Sequence, residues 1–188
     1  RIRTSMHRRK LLERLQVYRK TNYKESLLVD RFVDFVKRNV DCFERSNLEG
    51  HVTGSAWLVS PDGKRVLLTH HKKLGRWLQL GGHADGESDV LLVSQREAEE
   101  ESGLKLEQLN KNIFDIDIHE IPASGDEPGH LHFDARFLFK ALDLQFIVSS
   151  ESRDLQWVDV SDLERFSKEW SVIRMRDKYV EKLREGCF

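Results

Sequence analysis

Three glutamates, Glu97, Glu100 and Glu101, are the residues whose type and spacing point most directly to chemistry. On an α-helix, residues three and four positions apart are neighbours, so the three carboxylates project from one face. Their like charges raise one another's pKa and destabilise the helix unless a cation lies among them. Magnesium prefers oxygen ligands and commonly binds one or two carboxylates together with substrate phosphates. The spacing therefore predicts metal-assisted phosphate chemistry.

The residues around these glutamates resemble the box of the Nudix hydrolases, which reads Gx5Ex7REUxEExGU with U an aliphatic residue. Gly82 falls in register with the first glycine of the box. The matching residues of the helical part are Arg96, Glu97, Ala98, Glu100, Glu101, Gly103 and Leu104. Ser88 stands where the first glutamate belongs, and Glu87 lies one residue earlier. We expect Glu87 to take over that place; the alternative is that the position is vacant.

The resemblance implies a role for each matching position. The carbonyl of Gly81, together with Glu97, Glu100 and Glu101, would hold one or more Mg2+ or Mn2+ ions. Glu97 is our choice of catalytic base. Arg96 and Glu101 complete the expected catalytic group, with Arg96 orienting the carboxylates.

A further carboxylate ligand often comes from a distant loop in this family. Glu151 is the candidate for it, because the residues that follow resemble the acidic loop before a tryptophan-bearing strand. The alternatives are that Glu120 or Glu127 supplies this ligand, or that Glu151 is a surface residue with no role.

The length, net charge and cysteine content of the chain limit the classes of protein to which it can belong. The 188 residues suit one domain with an extension, and the net charge of -1 gives no electrostatic footprint for a nucleic acid or an anionic membrane. The two cysteines, Cys42 and Cys187, lie far apart, which suits a reducing compartment. No apolar run approaches the ~20 residues of a membrane-spanning helix. We therefore expect a cytoplasmic protein without nucleic-acid or membrane partners.

Hydrophobic periodicity predicts two helices within residues 8–45, broken near Thr21 and Asn22. Ser88 or Asp89 can cap the box helix, and Gly103 can end it. Strands are predicted at 52–60, 65–69, 77–82, 113–121, 130–142 and 155–160, and further helices at 162–166 and 172–183. The resemblance implies an α/β/α sandwich around a mixed sheet. We predict a helical extension over residues 1–50, which packs on the domain or forms a homodimer, and a Nudix domain over 51–188.

The eight histidines raise the hypothesis of a zinc site. The candidate ligands are His70, His71, His83, His130 and His132. His130 and His132 share one face of a strand, and we favour pocket lining or packing over zinc for them. His83 either hydrogen-bonds a phosphate or a metal-bound water, or stabilises its loop.

The function implied by the resemblance is hydrolysis of a nucleoside diphosphate linked to another group. ADP-ribose or a nucleotide sugar is favoured, because Pro122 follows the box at roughly the distance found in an ADP-ribose-hydrolysing subgroup. Trp57 and Trp77 are expected to be core aromatics, with base stacking as the alternative.

Two other classes of function remain open. One is a nucleotide-binding regulatory module that keeps the fold without turnover, although the intact glutamates argue against it. The other is an isoprenoid-diphosphate isomerase. That branch uses a catalytic cysteine, and neither cysteine here lies near the box.

Overall fold

The computed structural model describes residues 2–71, 74–148 and 152–187. Its helices are α1 (Ile2–Thr21), α2 (Ser26–Arg38), α3 (Val90–Ser102), α4 (Leu163–Phe166) and α5 (Trp170–Arg184). Its strands are β1 (Gly50–Val59), β2 (Arg65–His71), β3 (Arg76–Leu78), β4 (Leu80–His83), β5 (Leu106–Gln108), β6 (Asp115–Ile121), β7 (His130–Ala141) and β8 (Ser152–Asp159). The strands and the C-terminal helices lie close to their predicted positions, except that the single strand predicted at 77–82 is divided into β3 and β4. Strand β5, only three residues long, was missed.

The N-terminal helices break where the sequence predicted, with a 3-10 turn at Tyr23–Glu25 between them. The prediction of helix up to residue 45 was wrong. Helix α2 ends at Arg38, because Asn39 adopts an extended backbone with φ -107° and ψ 110°. Its side-chain amide and its backbone N–H both donate to the carbonyl of Phe35, which satisfies a helix end.

The strands form one sheet in the order β3, β2, β1, β7, β5. Strand β4 pairs with β1, β6 pairs with β7, and β8 pairs with β2. The predicted hairpin joins β1 to β2 in antiparallel register, with Val59 opposite Val66. None of the described helices combines the length and the apolar composition that crossing a bilayer requires.

The chain divides into two compact units, each assembled from three stretches of sequence. The first unit comprises Arg1–Ser55, Gly81–Ser94 and Lys111–Phe137, and the second comprises Ala56–Leu80, Gln95–Asn110 and Leu138–Phe188. Strands β1 and β7 and helix α3 each contribute residues to both units. The predicted division between residues 50 and 51 stays a prediction.

The N-terminal helices contribute much of the core of the first unit. Helix α1 buries Leu11, Leu15 and Tyr18 at helical spacing. Phe35 of α2 stacks on Phe133 of β7 with ring centroids 3.8 Å apart. Burying each such side chain contributes about 1.5–3 kcal/mol, so the helical extension is part of this core.

The second unit packs around Trp57, which is fully buried beside Tyr179 of α5. The prediction that Trp57 is a core aromatic is therefore confirmed. Trp77 is half-buried and contacts His70 and Phe166 by its ring. A structural role for Trp77 follows from these two contacts.

Candidate functional site

Helix α3 carries the predicted chemistry, and its N-terminus is held by Asp89. Of the two predicted caps, Asp89 is the one observed: its Oδ1 accepts the backbone N–H of Leu91 at 3.3 Å. The same carboxylate forms ion pairs with Arg14, at 2.6 Å, and with Lys10. Burial acts to raise the pKa of Asp89, but its bonds to Lys10 and Arg14 outweigh burial and lower it.

Glu87 takes part in the same helix start. Its Oε1 accepts the backbone N–H of Asp89 at 2.8 Å, so the side chain is bonded within the loop that leads into α3. This contact gives Glu87 a structural role of its own. The expectation that Glu87 replaces the missing box carboxylate stays a prediction.

The C-terminal half of α3 brings Arg96 and the three glutamates together along one helix. The Arg96 guanidinium donates to Glu97 Oε1 at 2.9 Å, and the Glu97 side chain is only 18% exposed. Glu101 is half-buried and Glu100 is exposed. Ala98 is fully buried and anchors the helix on the side away from solvent. Glu97 is thus held in place, whereas Glu100 faces solvent.

The helix ends at Gly103, as predicted. The backbone N–H of Gly103 donates to the carbonyl of Glu99 at 2.8 Å, and Gly103 has φ 68°. Only glycine adopts this left-handed conformation without steric cost, so the last turn of the box depends on it.

A second cluster of chemistry-bearing side chains lies wholly within the first unit. His51 of β1, His83 of β4 and His132 of β7 each offer a ring nitrogen, and these nitrogens lie within 4.8 Å of one another. His130 joins them, with its Nε2 3.3 Å from that of His132. The rings of His119 and His132 lie 5.4 Å apart. We call His51, His83, His130 and His132 the histidine cluster.

Burial lowers the pKa of three imidazoles of the histidine cluster, those of His51, His83 and His132. It lowers the pKa of His83 to about 4, assisted by the charge of Arg45. It lowers the pKa of His132 to about 2, assisted by His119. The pKa of His51 is also lowered, by burial and then by His130. These rings are therefore neutral near pH 7, which is the form that ligates metals.

Sequence analysis predicted some members of the histidine cluster but not its central member. His83, His130 and His132 were candidates, whereas His51 was not. His70 and His71 belong to the second unit. Among the described residues, they are not part of the group of histidines that could hold a metal ion. The alternation of His51, Thr53 and Ser55 along β1, all buried polar residues, was the available signal.

Comparison with known proteins identifies the family. A model of the NUDIX domain matches residues 50–178 of the chain. The chain belongs to the Nudix family. It is therefore a Nudix-type pyrophosphohydrolase that acts on phosphoric anhydride bonds, from a family that generally uses divalent metal ions. No curated protein matches the chain significantly.

Solved structures share the fold of this Nudix protein. A MutT Nudix hydrolase from Burkholderia pseudomallei is 23% identical with a TM-score of 0.56, covering 69% of this chain and 97% of its own. An Ap4A hydrolase from C. elegans is 17% identical, with a TM-score of 0.52 and coverage of 71% and 98%. The E. coli dihydroneopterin triphosphate pyrophosphohydrolase is 16% identical, with a TM-score of 0.51 and coverage of 70% and 95%. The predicted fold, a mixed sheet with helices on its sides, is confirmed.

The box residues of this Nudix protein fit the family's divalent cation. The candidate donors on α3 are all carboxylate oxygens, which Mg2+ and Mn2+ prefer. Their spacing places Glu97, Glu100 and Glu101 on one face, and the half-burial of Glu97 and Glu101 limits competition from water. A hard cation thus suits this donor set better than a soft one.

The other predicted metal ligands, Gly81 and Glu151, do not lie on helix α3. Gly81 lies in the first unit, where a Cβ on it would be 2.4 Å from Ser55 Oγ, so the close approach of β1 requires glycine. Its role as a carbonyl ligand stays a prediction. Glu151 lies outside the described residues. Glu120 and Glu127 are exposed, and Glu127 closes a short turn with Ser124.

Proposed function

We propose that this Nudix protein hydrolyses a nucleoside diphosphate joined to a second group, with ADP-ribose or a nucleotide sugar as the first candidates. The main support for this proposal is that one face of α3 presents Glu97, Glu100 and Glu101. On the same helix, Arg96 donates a hydrogen bond to Glu97 at 2.9 Å. Three carboxylates in this arrangement suit a Mg2+- or Mn2+-dependent attack on a phosphoric anhydride.

The positions of the box residues on α3 support the following proposed roles. Glu97, oriented by Arg96, accepts the proton of the attacking water as general base. Glu100 and Glu101 would hold the divalent cation. When bound, that cation lowers the pKa of the water and screens the charge of the phosphates.

Bond changes in the reaction are those of an anhydride hydrolysis. The water oxygen bonds to one phosphorus, and the anhydride P–O bond to the other phosphate breaks. The bridging oxygen leaves with the second group. The products are a nucleoside monophosphate and a phosphorylated remainder, or pyrophosphate if the substrate is a nucleoside triphosphate.

The cysteines count against the isomerase alternative. Cys42 is fully buried, and this burial raises the pKa of its thiol to about 12. A thiol that stays protonated in the core cannot act on a substrate in solution at neutral pH. Cys187 is exposed near the end of the chain, beyond α5.

The preference for ADP-ribose rests on Pro122, which directly follows β6 and is exposed. Its place after the box supports this substrate within the proposed class. The Ap4A hydrolase and the dihydroneopterin triphosphate pyrophosphohydrolase that share the fold show how widely substrates vary on it.

A substrate screen tests the proposal. The full chain is incubated with ADP-ribose, nucleotide sugars, dinucleotides and nucleoside triphosphates in Mg2+ or Mn2+, and products are quantified by phosphatase-coupled phosphate release and by chromatography. Turnover should be highest on ADP-ribose or a nucleotide sugar, vanish with EDTA and return with either cation. Turnover that survives exhaustive chelation, or none on any substrate, would overturn the proposal.

Substitutions on α3 test the assigned roles. Glu97→Gln should reduce kcat by about 10²–10⁴-fold, because the amide cannot accept the proton. Glu100→Gln and Glu101→Gln should raise the cation concentration needed for half-maximal rate. The matched control is Glu99→Gln, which changes a carboxylate on the same helix that accepts a bond from Gln95 at 3.0 Å. Near wild-type kcat for Glu97→Gln at saturating cation would place the base elsewhere.

A further inference from the structure

We propose that His51, His83 and His132 form a binding site for a borderline divalent cation, Zn2+ above all, distinct in its donors from the glutamates of the box. The site lies within the first unit and joins strands β1, β4 and β7. Its donors are imidazole nitrogens, which suit zinc, nickel and copper, whereas carboxylate oxygens suit Mg2+. The site does not depend on the proposed substrate.

The spacing of the nitrogens supports coordination. Zn–N bonds of about 2.0–2.1 Å in a tetrahedral site put neighbouring ligand nitrogens about 3.4 Å apart. The three candidate nitrogens lie within 4.8 Å of one another. Binding of the cation would draw these nitrogens closer together by rotation of the side chains.

His51 supplies an independent indication of a ligand. It is 3% exposed, and among the described residues neither of its ring nitrogens makes a hydrogen bond of acceptable geometry, although the backbone of Asn47 interacts with the ring and acts to raise its pKa. Its ring lies 4.8–5.0 Å, centroid to centroid, from those of His83, His130 and His132. A buried polar group without a hydrogen bond is unfavourable, and a metal bond to one nitrogen would offset that penalty.

The hydrogen bond of His130 fixes its tautomer. Its Nδ1 lies 3.0 Å from the carbonyl of Pro128, and a carbonyl only accepts, so Nδ1 carries the hydrogen. In a ring that carries its single hydrogen on Nδ1, the lone pair is on Nε2, and this atom of His130 lies 3.3 Å from Nε2 of His132. Metal-ligating histidines are typically oriented by such a bond from the other ring nitrogen. His130 is therefore oriented beside His132, next to the three proposed ligands.

Zinc binding to the full chain provides the test. Protein freed of metal by chelation is dialysed against ZnCl2 in excess Mg2+, and bound zinc is counted per chain. One zinc per chain is expected, with a rise in Tm and, after Co2+ substitution, the visible absorption of tetrahedral coordination. X-ray absorption should show nitrogen neighbours at about 2.0–2.1 Å.

Variants assign the ligands. His51→Gln and His132→Gln should each weaken zinc binding by more than about 100-fold, and His130→Gln by about 10–100-fold. The control His70→Gln removes a histidine whose ring contacts Trp77, and it should bind zinc as the wild type does. Circular dichroism verifies that each variant folds. The Co2+ spectrum of the wild-type protein tests the coordination geometry without any substitution.

Three results would overturn the inference. They are no stoichiometric zinc in the wild type, unchanged affinity in folded His51→Gln and His132→Gln, and zinc binding that is abolished by Glu100→Gln. The last result would assign the zinc to the box. Because zinc is counted without substrate, failure here leaves hydrolysis intact, and an inactive protein that binds zinc leaves this site intact.

Discussion

An ion cluster around Arg136 lies in the interior of the first unit, and removing the charge of Arg136 should be severely destabilising. Arg136 is 1% exposed and donates to Asp134 at 2.8 Å, to Asp115 at 3.0 Å and to Asp117 at 3.3 Å. Burial alone would lower the pKa of Arg136, but these carboxylates raise it. Asp134 also accepts bonds from Thr53 and Ser55, both at 2.8 Å.

Arg136→Met keeps an unbranched apolar stem at this position and deletes the charged guanidinium group. Asp115 and Asp134, which are 0% and 1% exposed, would then lack their cation in the core. Breaking a buried ion pair in this way reduces the free energy of unfolding by about 3–5 kcal/mol. Since domains have only about 5–15 kcal/mol in total, much of the stability would be lost.

Urea unfolding followed by circular dichroism measures this loss. The deficit should shrink as the pH falls towards the ordinary aspartate pKa of about 4, because the stranded carboxylates can then be buried neutral. Arg9→Met is the control: the exposed Arg9 pairs with Glu13 at 2.7 Å one turn away, and its loss should change stability by about 0.5 kcal/mol or less.

Adding Asp115→Asn to Arg136→Met should recover part of the loss, since it removes one stranded charge. A loss below about 1 kcal/mol for Arg136→Met at neutral pH, or a deficit that grows on acidification, would refute the reasoning.

Three further predictions concern local structure. Asp89→Ala should lower the free energy of unfolding by about 1–2 kcal/mol, and Asp89→Asn by less, in urea unfolding. Because the folded pKa of Asp89 is lowered, the charge-dependent part of this contribution is present at neutral pH and is lost as the pH falls below about 4. Gly103→Ala should lower Tm through a strain of about 1 kcal/mol at φ 68°, and an unchanged Tm would contradict it. Iodoacetamide at neutral pH should label Cys187 but not Cys42 in the folded protein, as counted by mass spectrometry, and both after unfolding.

Much of the box could be predicted because it is local. The spacing of the glutamates and the glycine stop at Gly103 act within one helix, and the bond between Arg96 and Glu97 joins neighbouring residues. The helix cap was predicted to one of two residues for the same reason. The strands could be predicted because their composition and flanking turn residues are also local, and because residues 113–121 alternate apolar and charged side chains.

Contacts between residues that are far apart in the sequence could not be predicted in this way. Asp115 and Arg136 form an ion pair across two paired strands, and strand alternation alone does not distinguish a solvated aspartate from a buried one. The end of α2 at Arg38 was also missed, because composition continues to favour helix beyond it.

The histidine cluster shows which features the sequence could predict and which only the tertiary structure decided. Periodicity in the chain places His130 and His132 on one face of a strand, and the box identifies the family and its chemistry. That His51 lies beside them without a hydrogen bond depends on which strands become neighbours. Strand order is set by burial of apolar surface over the whole fold, and no short stretch of sequence carries that information.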